Sequence, residues 1–210
     1  TGGLQNLTLR SSFLNQRFLY SGLLEGEHAL TKSGIRLTWN GNVSYNNKQQ
    51  PDFRTAQYVQ PLSDPASHYE MDDDDTRRLF STLNDYSIGG NAALAIPFDM
   101  GGQKQTFKAG GSTLVRFRDF KSRVFRYRPA STNTDITVPY DQAFQPDNIN
   151  SNGLYLDEQT QNTDKYFGIS ALNAGFAMFD NKIGSDLRVI WGVRAEFFEQ
   201  FLHSRGLSLK

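Results

Sequence analysis

Three histidines are the first residues to consider for metal chemistry, and their spacing does not favour it. His28, His68 and His203 lie far apart in the chain, with none of the short paired spacings that zinc ligands usually show. The chain has no Cys, so thiolate metal sites and disulfides are excluded. We therefore predict that the histidines form no metal site.

An acidic run offers a second kind of metal chemistry. Asp72 to Asp75, with Glu70 nearby, supply the carboxylate oxygens that Ca²⁺ prefers. The run lacks the Asp-x-Asp-x-Asp-Gly pattern of a calcium-binding loop. A solvated loop whose charges repel one another is the favoured interpretation, and a calcium site is the alternative.

Acid–base catalysis could be drafted from Asp52 with Arg54 or from Glu25 with Glu27. Residues two positions apart in a strand share a face whatever their function, so lining of a polar surface explains both pairs better. The sequence contains no Gly-x-Ser-x-Gly motif, no phosphate-binding loop and no Cys–His pair. We expect no enzymatic activity and no cofactor.

One set of charged residues alternates with apolar residues and is predicted to lie on the polar face of a sheet. Its members could line a ligand path or contact an internal plug domain, while ordinary surface lining is the favoured account for any one of them. The set comprises Arg116, Arg118, Arg188, Arg194 and Glu196.

A second set consists of aromatic residues in polar stretches that we interpret as loops. Loops on a rigid scaffold often carry recognition, so these side chains could contact a sugar or a peptide, or pack the loops together. They are Tyr69, Phe80, Tyr140, Phe144 and Tyr155.

The composition predicts the class of fold that positions these residues. Aromatic residues make up 13% of the chain, 18 residues are Gly, and Asn, Ser and Thr are frequent, which favours an all-β protein. Lys and Arg total 22, as do Asp and Glu, so the neutral balance gives no reason to expect a nucleic acid partner.

Period-two alternation of apolar and polar residues predicts at least five strands. The clearest begins at Ile35, where Leu37, Trp39 and Val43 alternate with polar residues. Others begin at Ile88, Phe107, Tyr166 and Leu187, and the stretches 18–30 and 4–13 also read as extended. The strand from Tyr166 has two mixed faces, and we group Tyr166, Gly168 and their even-numbered successors with the apolar sets.

The connections between these strands alternate in length. Short turns are predicted at 31–34, 99–104 and 180–185, and long loops at about 47–85 and 129–164. No run approaches the roughly 18 apolar residues of a spanning helix, whereas each strand reaches the roughly 9–11 residues that cross a bilayer. The pattern predicts an antiparallel transmembrane β-barrel portion with short periplasmic turns and long extracellular loops.

The order of several short motifs resembles the barrel of TonB-dependent outer-membrane receptors of the Bacteroidetes type. The motifs are Tyr20 to His28, Leu37 to Tyr45, Gln50 to Arg54, Phe125 to Tyr127, Phe144 to Ile149, Leu154 to Glu158, Thr163 to Tyr166 and Gly192 to Glu196. The resemblance covers nearly the whole chain, although each motif alone is short.

This resemblance implies that residues 1–210 are a single segment of a larger barrel of about 22 strands with a plug domain. It further implies import of a nutrient (a glycan, a peptide or a metal chelate) across the bacterial outer membrane. The implied partners are outer-membrane lipid, the TonB complex and a surface lipoprotein. Two alternatives stay open: a soluble β-sandwich or jelly-roll ligand-binding module, and a porin or structural barrel that does not use TonB.

Overall fold

The computed structural model describes residues 4–204, which form one antiparallel sheet of eight strands. The connection between the fifth and seventh strands contains a one-turn α-helix, α1 (Tyr140–Ala143), and 3₁₀ helices at Pro146–Asn148 and Asn162–Asp164. The strands are β1 (Gln5–Ser12), β2 (Gln16–Ala29), β3 (Arg36–Pro61), β4 (Glu70–Met100), β5 (Gln103–Pro129), β6 (Leu154–Glu158), β7 (Lys165–Ile183) and β8 (Leu187–Ser204).

The strands follow one another across the sheet in an up-and-down meander. β1 and β2 both pair with β3, end to end, so together they act as one interrupted edge strand. The sheet then continues through β4, β5 and β7 to β8, and the short β6 pairs with the end of β5. The prediction of an all-β antiparallel fold is confirmed. Within residues 4–204 the sheet does not close on itself.

The three tight turns lie at one end of the sheet, called the short-turn end. Positive φ angles fall on glycines there, including Gly101 at 61° and Gly102 at 76°, which other residues rarely adopt. The opposite end, called the long-connection end, carries the β3–β4 connection and the stretch between β5 and β7. The predicted contrast between short turns at one end and long loops at the other is therefore present for the loop predicted at 129–164.

The loop predicted at 47–85 is wrong. β3 continues to Pro61 and β4 starts at Glu70, so only 62–69 connect them. Both faces of this strand extension contain polar residues, so the sequence there shows no alternation of apolar and polar residues that would predict a strand. The pairing is also irregular, because the register shifts between Gln50 and Phe53 and again between Thr55 and Gln57.

The register assigns each residue to one of two faces. Trp39 pairs with Gly26 on one side and Ala92 on the other, and its row continues through Gly111 and Gly175. We call the face that carries Trp39 the apolar face and its opposite the polar face. On β7 the odd-numbered residues share the apolar face, so our grouping of the even-numbered residues from Tyr166 with the apolar sets is wrong. Both faces of β7 contain apolar residues, and only pairing with β5 distinguishes them.

Two rows of large side chains cross the apolar face. Ring centroids lie 4.9 Å apart both for Phe107 with Phe179 and for Phe179 with Trp191, and 4.6 Å apart for Tyr45 with Tyr86. The row nearer the short-turn end, called the lower row, contains Ile96, Phe107, Phe179 and Trp191 in direct cross-strand register. The upper row contains Tyr20, Tyr45, Tyr86, Phe117, Ile169 and Phe201.

Little of this sheet is covered by other parts of the described chain. The largest buried cluster lies at the long-connection end, where Ala56, Tyr58, Met71 and Leu154 surround Ala143 of α1. On the apolar face, by contrast, Trp191 is 57% exposed and Val193 is 73% exposed. Among residues 4–204, no helix has the length and apolar character needed to cross a membrane.

Candidate functional site

A shared carboxylate organises the predicted arginines of β5 on the polar face. Arg118 Nη2 lies 2.5 Å from Asp85 Oδ2, and Arg116 Nε lies 3.6 Å from Asp85 Oδ1. The Asp85 side chain is only 11% exposed, whereas both guanidinium groups remain accessible. Two guanidinium groups share one largely buried carboxylate, so one positive charge on the polar face is not neutralised at this site.

These arginines line a groove of about 410 Å³ that runs across β5, β7 and β8. Gly168, which pairs with Arg118 on one side and Leu202 on the other, leaves the floor of the groove open. Tyr166 and Gln200 add polar groups to the wall. The groove therefore combines guanidinium, phenol and amide donors and suits a ligand with oxygen acceptors.

The other predicted polar-face residues do not join this groove. Arg188 pairs with Asp180 near the short-turn end, and Arg194 Nε lies 2.7 Å from Glu196 Oε1. Both are local ion pairs on the polar face, exposed enough to contribute little stability each. The structure thus brings together two of the five predicted residues and leaves three in separate pairs.

A second cluster, at the long-connection end, joins the pair Asp52 and Arg54 to residues that the sequence did not connect with it. Asp52 accepts hydrogen bonds from Arg54 and Arg78, with Arg78 Nε 2.8 Å from Asp52 Oδ1. The Arg54 guanidinium carbon lies 5.8 Å from the centroid of the Phe144 ring, and Phe144 also contacts Tyr140. These residues border a groove of about 650 Å³ beside α1.

Two of the five predicted loop aromatics, Tyr140 and Phe144, meet in this cluster. Phe80 instead lies in β4, where the Arg78 guanidinium carbon is 4.9 Å from its ring centroid. Tyr69 lies in the β3–β4 connection and is 40% exposed, whereas Tyr155 lies in the short strand β6, not in a loop, and is 44% exposed. The assignment of Phe80 to a loop is wrong because the β4 strand extends beyond the alternating segment that the sequence revealed.

Tyr127 is the buried member that sequence reasoning missed. It is fully buried under Phe144, with ring centroids 4.6 Å apart, and its hydroxyl has no hydrogen-bond partner among the described residues. Burial raises the pKa of Tyr127, while the positive charges of Arg78 and Arg54 oppose that rise. Its place in the run Phe125-Arg-Tyr127, on the same side of β5 as Phe125, was the available signal.

The Asp52 ion pairs lead to a prediction about pH. Partial burial raises the pKa of Asp52, but hydrogen bonds from Arg54 and Arg78 outweigh burial and hold it below its usual value. Because the pKa of Asp52 is lower in the folded than in the unfolded protein, its ionised carboxylate stabilises the fold at any pH above the unfolded pKa of about 3.9. This stabilisation is lost as the pH falls through the folded-state pKa. We expect Asp52→Asn to remove about 1–2 kcal/mol of local stability at neutral pH.

Hydrogen exchange of α1 amides provides the measurement. Protection in α1 should decrease in the native protein below about pH 3.9 and be low at every pH in Asp52→Asn. Glu158→Gln is the matched control, because Glu158 forms an ion pair with Arg123 on the same end of the sheet but away from α1. Equal loss of α1 protection in both variants would contradict the role given to Asp52.

The acidic run is part of β4, so its interpretation as a solvated loop is wrong. Arg128, Arg126 and Arg77 pair with Asp73, Asp74 and Asp75 at 3.3, 2.7 and 3.0 Å. Asp72 accepts a hydrogen bond from Gln57. Carboxylate oxygens of Asp72, Asp73 and Asp74 do lie within 4.8 Å of one another. Arginines that already neutralise the run compete with any cation, so the cluster is explained without calcium.

The remaining candidates form local contacts. Trp39 Nε1 donates a hydrogen bond of 3.0 Å to His28 Nε2, and the two rings stack. Glu27 pairs with Arg36 on the neighbouring strand. His68 lies in the β3–β4 connection and His203 lies on β8, both at the long-connection end. The three histidines are therefore separated in the fold as they are in the sequence.

The fold and these sites define an all-β protein whose single antiparallel sheet separates an apolar face from a charged face. No model of a known protein family matches the chain, and no curated protein is significantly similar to it.

Proposed function

We propose that this chain forms part of the wall of a transmembrane β-barrel in an outer-membrane transport receptor of the TonB-dependent type. The apolar face contacts lipid, and the polar face lines the interior. The long-connection end lies outside the cell, and the short turns lie in the periplasm, as in other outer-membrane barrels.

The distribution of charge between the two faces carries this proposal. Between the lower and upper rows, Glu199 is the only Asp, Glu, Lys or Arg on the apolar face of the described strands, and it lies two residues from Phe201 of the upper row. Between the same two rows, the polar face of β2–β5, β7 and β8 carries seven such residues: Glu25, Glu27, Arg36, Lys108, Arg116, Arg194 and Glu196. Water favours charges on any exposed face, whereas hydrocarbon excludes them from the face that it contacts.

The height of the uncharged band supports the same assignment. Phe107 and Phe117 lie in the lower and upper rows of one strand, about 33 Å apart at a rise of about 3.3 Å per residue. A strand tilt of about 40° reduces this to about 25 Å across the membrane, the usual height of the apolar band in such barrels. Aromatic side chains at both limits match the girdles found at the two lipid–water interfaces.

Two polar side chains inside the band form a hydrogen bond with each other, which lowers the cost of placing them in lipid. Thr113 Oγ1 lies 2.8 Å from Asn173 Oδ1 on the neighbouring strand. Glycines on the same face, such as Gly111 and Gly175, leave gaps that lipid chains fill but that a packed protein core would not tolerate.

Transport itself rests on the family resemblance together with the polar face. The Arg116–Arg118 groove supplies donors along the proposed interior, where a nutrient would pass. In this proposal, the TonB complex and a plug domain act through other parts of the receptor, and a surface lipoprotein is a further partner at the long-connection end.

Tryptophan depth in the bilayer tests the proposal. Trp39 and Trp191 both lie on the apolar face, roughly 12–18 Å from the short-turn end by strand rise and tilt. We would reconstitute single-Trp variants of the full-length protein and measure quenching by lipids brominated at graded acyl depths. Strong quenching of both residues by lipids brominated on the acyl chains is expected.

Two other outcomes contradict the proposal. Blue-shifted emission without quenching would bury both residues in a protein core, as in a soluble β-sandwich. Red-shifted emission with quenching by aqueous iodide would place the apolar face in water. Phe197→Trp in a background without the other two is a useful positive control, because Phe197 lies on the same face and is 61% exposed.

A further inference from the structure

A group of basic side chains lies on the apolar face just beyond the upper row, at the long-connection end. Lys121 of β5 and Lys165 of β7 are directly paired across the two strands. His203 of β8 pairs with Phe167, which is two residues from Lys165 on the same face. We call Lys121, Lys165 and His203 the basic patch.

Neighbouring carboxylates balance only part of the charge of the basic patch. Lys121 Nζ lies 3.1 Å from Asp119 Oδ2, and the Lys121 side chain is 67% exposed. Within residues 4–204, no carboxylate lies within 4.0 Å of the Lys165 ammonium group. Like charges placed directly opposite each other destabilise a sheet, so two facing lysines gain from an external anion between them.

The nearby Arg123 does not change the net charge of the basic patch. Arg123, two residues beyond Lys121, makes a bidentate pair with Glu158 at 2.9 Å, and Glu158 has a pKa of about 2 because of the hydrogen bonds from Arg123 and Thr160. That ion pair is therefore complete at neutral pH. Because Asp119 offsets one of the two lysine charges, one surplus positive charge remains on Lys121 and Lys165.

The surroundings of the patch combine a polar and an apolar half. Lys121, Lys165, His203 and Asp119 border a groove of about 360 Å³, and Phe167 forms its apolar side. The upper row, with Phe117 and Phe201, continues directly below. A ligand that fits both halves has an anionic head at the level of the lysines and a hydrocarbon part along the aromatic row.

The opposite end of the apolar face has no such cations. Beyond the lower row, the residues on that face of β4, β5, β7 and β8 are Phe98, Met100, Gln103, Gln105, Asn181, Ile183, Leu187 and Val189. On the described strands, lysines on the apolar face therefore occur at one end only, which associates them with one leaflet of the membrane.

We propose that the basic patch binds the phosphate of a lipid headgroup in the leaflet at the long-connection end. The acyl chains of that lipid pack against Phe117, Phe167 and Phe201. This inference rests on the proposed membrane location, and it adds a specific lipid site on the outer wall, on the face opposite the Arg116–Arg118 groove.

Native mass spectrometry of the full-length protein in detergent tests this site. The probe is phosphatidic acid, which carries a phosphate monoester, and phosphatidylcholine serves as a zwitterionic comparison. We expect phosphatidic acid to bind more tightly. The double substitution Lys121→Gln with Lys165→Gln should weaken its binding roughly 30-fold, because each lysine near an anionic lipid surface contributes a separate electrostatic increment.

Matched variants separate this site from a general effect of charge. Lys104→Gln with Lys108→Gln removes the same charge from the polar face and should leave binding within about twofold. Lys121→Arg with Lys165→Arg keeps the charge, so it should retain binding and shows whether the positions tolerate substitution. If the Gln variant does not fold, the Arg variant and inorganic phosphate competition still decide the question.

Three results would overturn the proposal. They are unchanged binding in the Lys121→Gln, Lys165→Gln protein, equal binding of phosphatidylcholine, and displacement of the lipid by millimolar inorganic phosphate, which would indicate a site for soluble anions. Each of these leaves tryptophan quenching unaffected. Failure of this inference is therefore distinguishable from failure of the proposed membrane location.

Discussion

Replacing Thr113 by Arg is expected to lower the free energy of unfolding by roughly 2–4 kcal/mol, because it places a charge midway between the two rows on the apolar face. The same substitution at the adjacent Ser112 should cost less than about 1 kcal/mol, because Ser112 lies on the polar face. Successive residues of a strand point to opposite faces, so the two variants differ mainly in the environment of the new charge.

Urea unfolding of the full-length protein in lipid vesicles is the measurement. Thr113 also bonds Asn173, so Thr113→Val is included to isolate the loss of that hydrogen bond, expected at about 1 kcal/mol. Equal destabilisation by Thr113→Arg and Ser112→Arg would show that the two faces meet the same environment and would contradict the lipid assignment.

The second large effect is expected at Gly110, where a single methyl group has no room. A Cβ atom at this position would lie 2.5 Å from the Ala92 carbonyl oxygen and 2.8 Å from Phe176 Cε1. It would also lie 2.9 Å from the Ala93 Cα atom, so the neighbouring backbone would have to move. We expect Gly110→Ala to destabilise the protein by roughly 1–3 kcal/mol.

Gly175 on the neighbouring strand is the matched control. The nearest atom to a Cβ placed there is the Gly110 carbonyl oxygen at 3.9 Å, an ordinary contact. Gly175→Ala should therefore be neutral or stabilise by up to about 1 kcal/mol, because it reduces the entropy of the unfolded chain. Destabilisation by both substitutions in the same unfolding assay would rule out the steric explanation for Gly110.

The alternating segments were predictable because one face of each is almost free of charge. The sets that contain Trp39, Ile88, Phe107 and Trp191 all occupy the apolar face, as their sequence alternation indicates. The strand extensions 47–61 and 70–85 were not predictable in this way. Both of their faces mix polar with apolar residues, and the pairing there is accompanied by cross-strand ion pairs that have no period in the sequence.

The candidate sites were also predictable only in part, because local spacing was visible in the sequence and contacts between strands were not. Arg116 and Arg118 could be placed on one face by their spacing of two residues, but their shared partner Asp85 lies on another strand. Asp52 and Arg54 were visible as neighbours, whereas Arg78, Tyr127 and Phe144 join them only through strand pairing and the position of α1.

The sequence by itself determined the all-β class, the three short turns and which residues of most strands share a face, because these follow from local alternation and turn chemistry. Only the tertiary structure decided the register, and with it the faces of β7, the paired lysines 121 and 165, and the aromatic rows. Register depends on which residue of one strand meets which residue of the next, and that choice is made by contacts between residues distant in the chain.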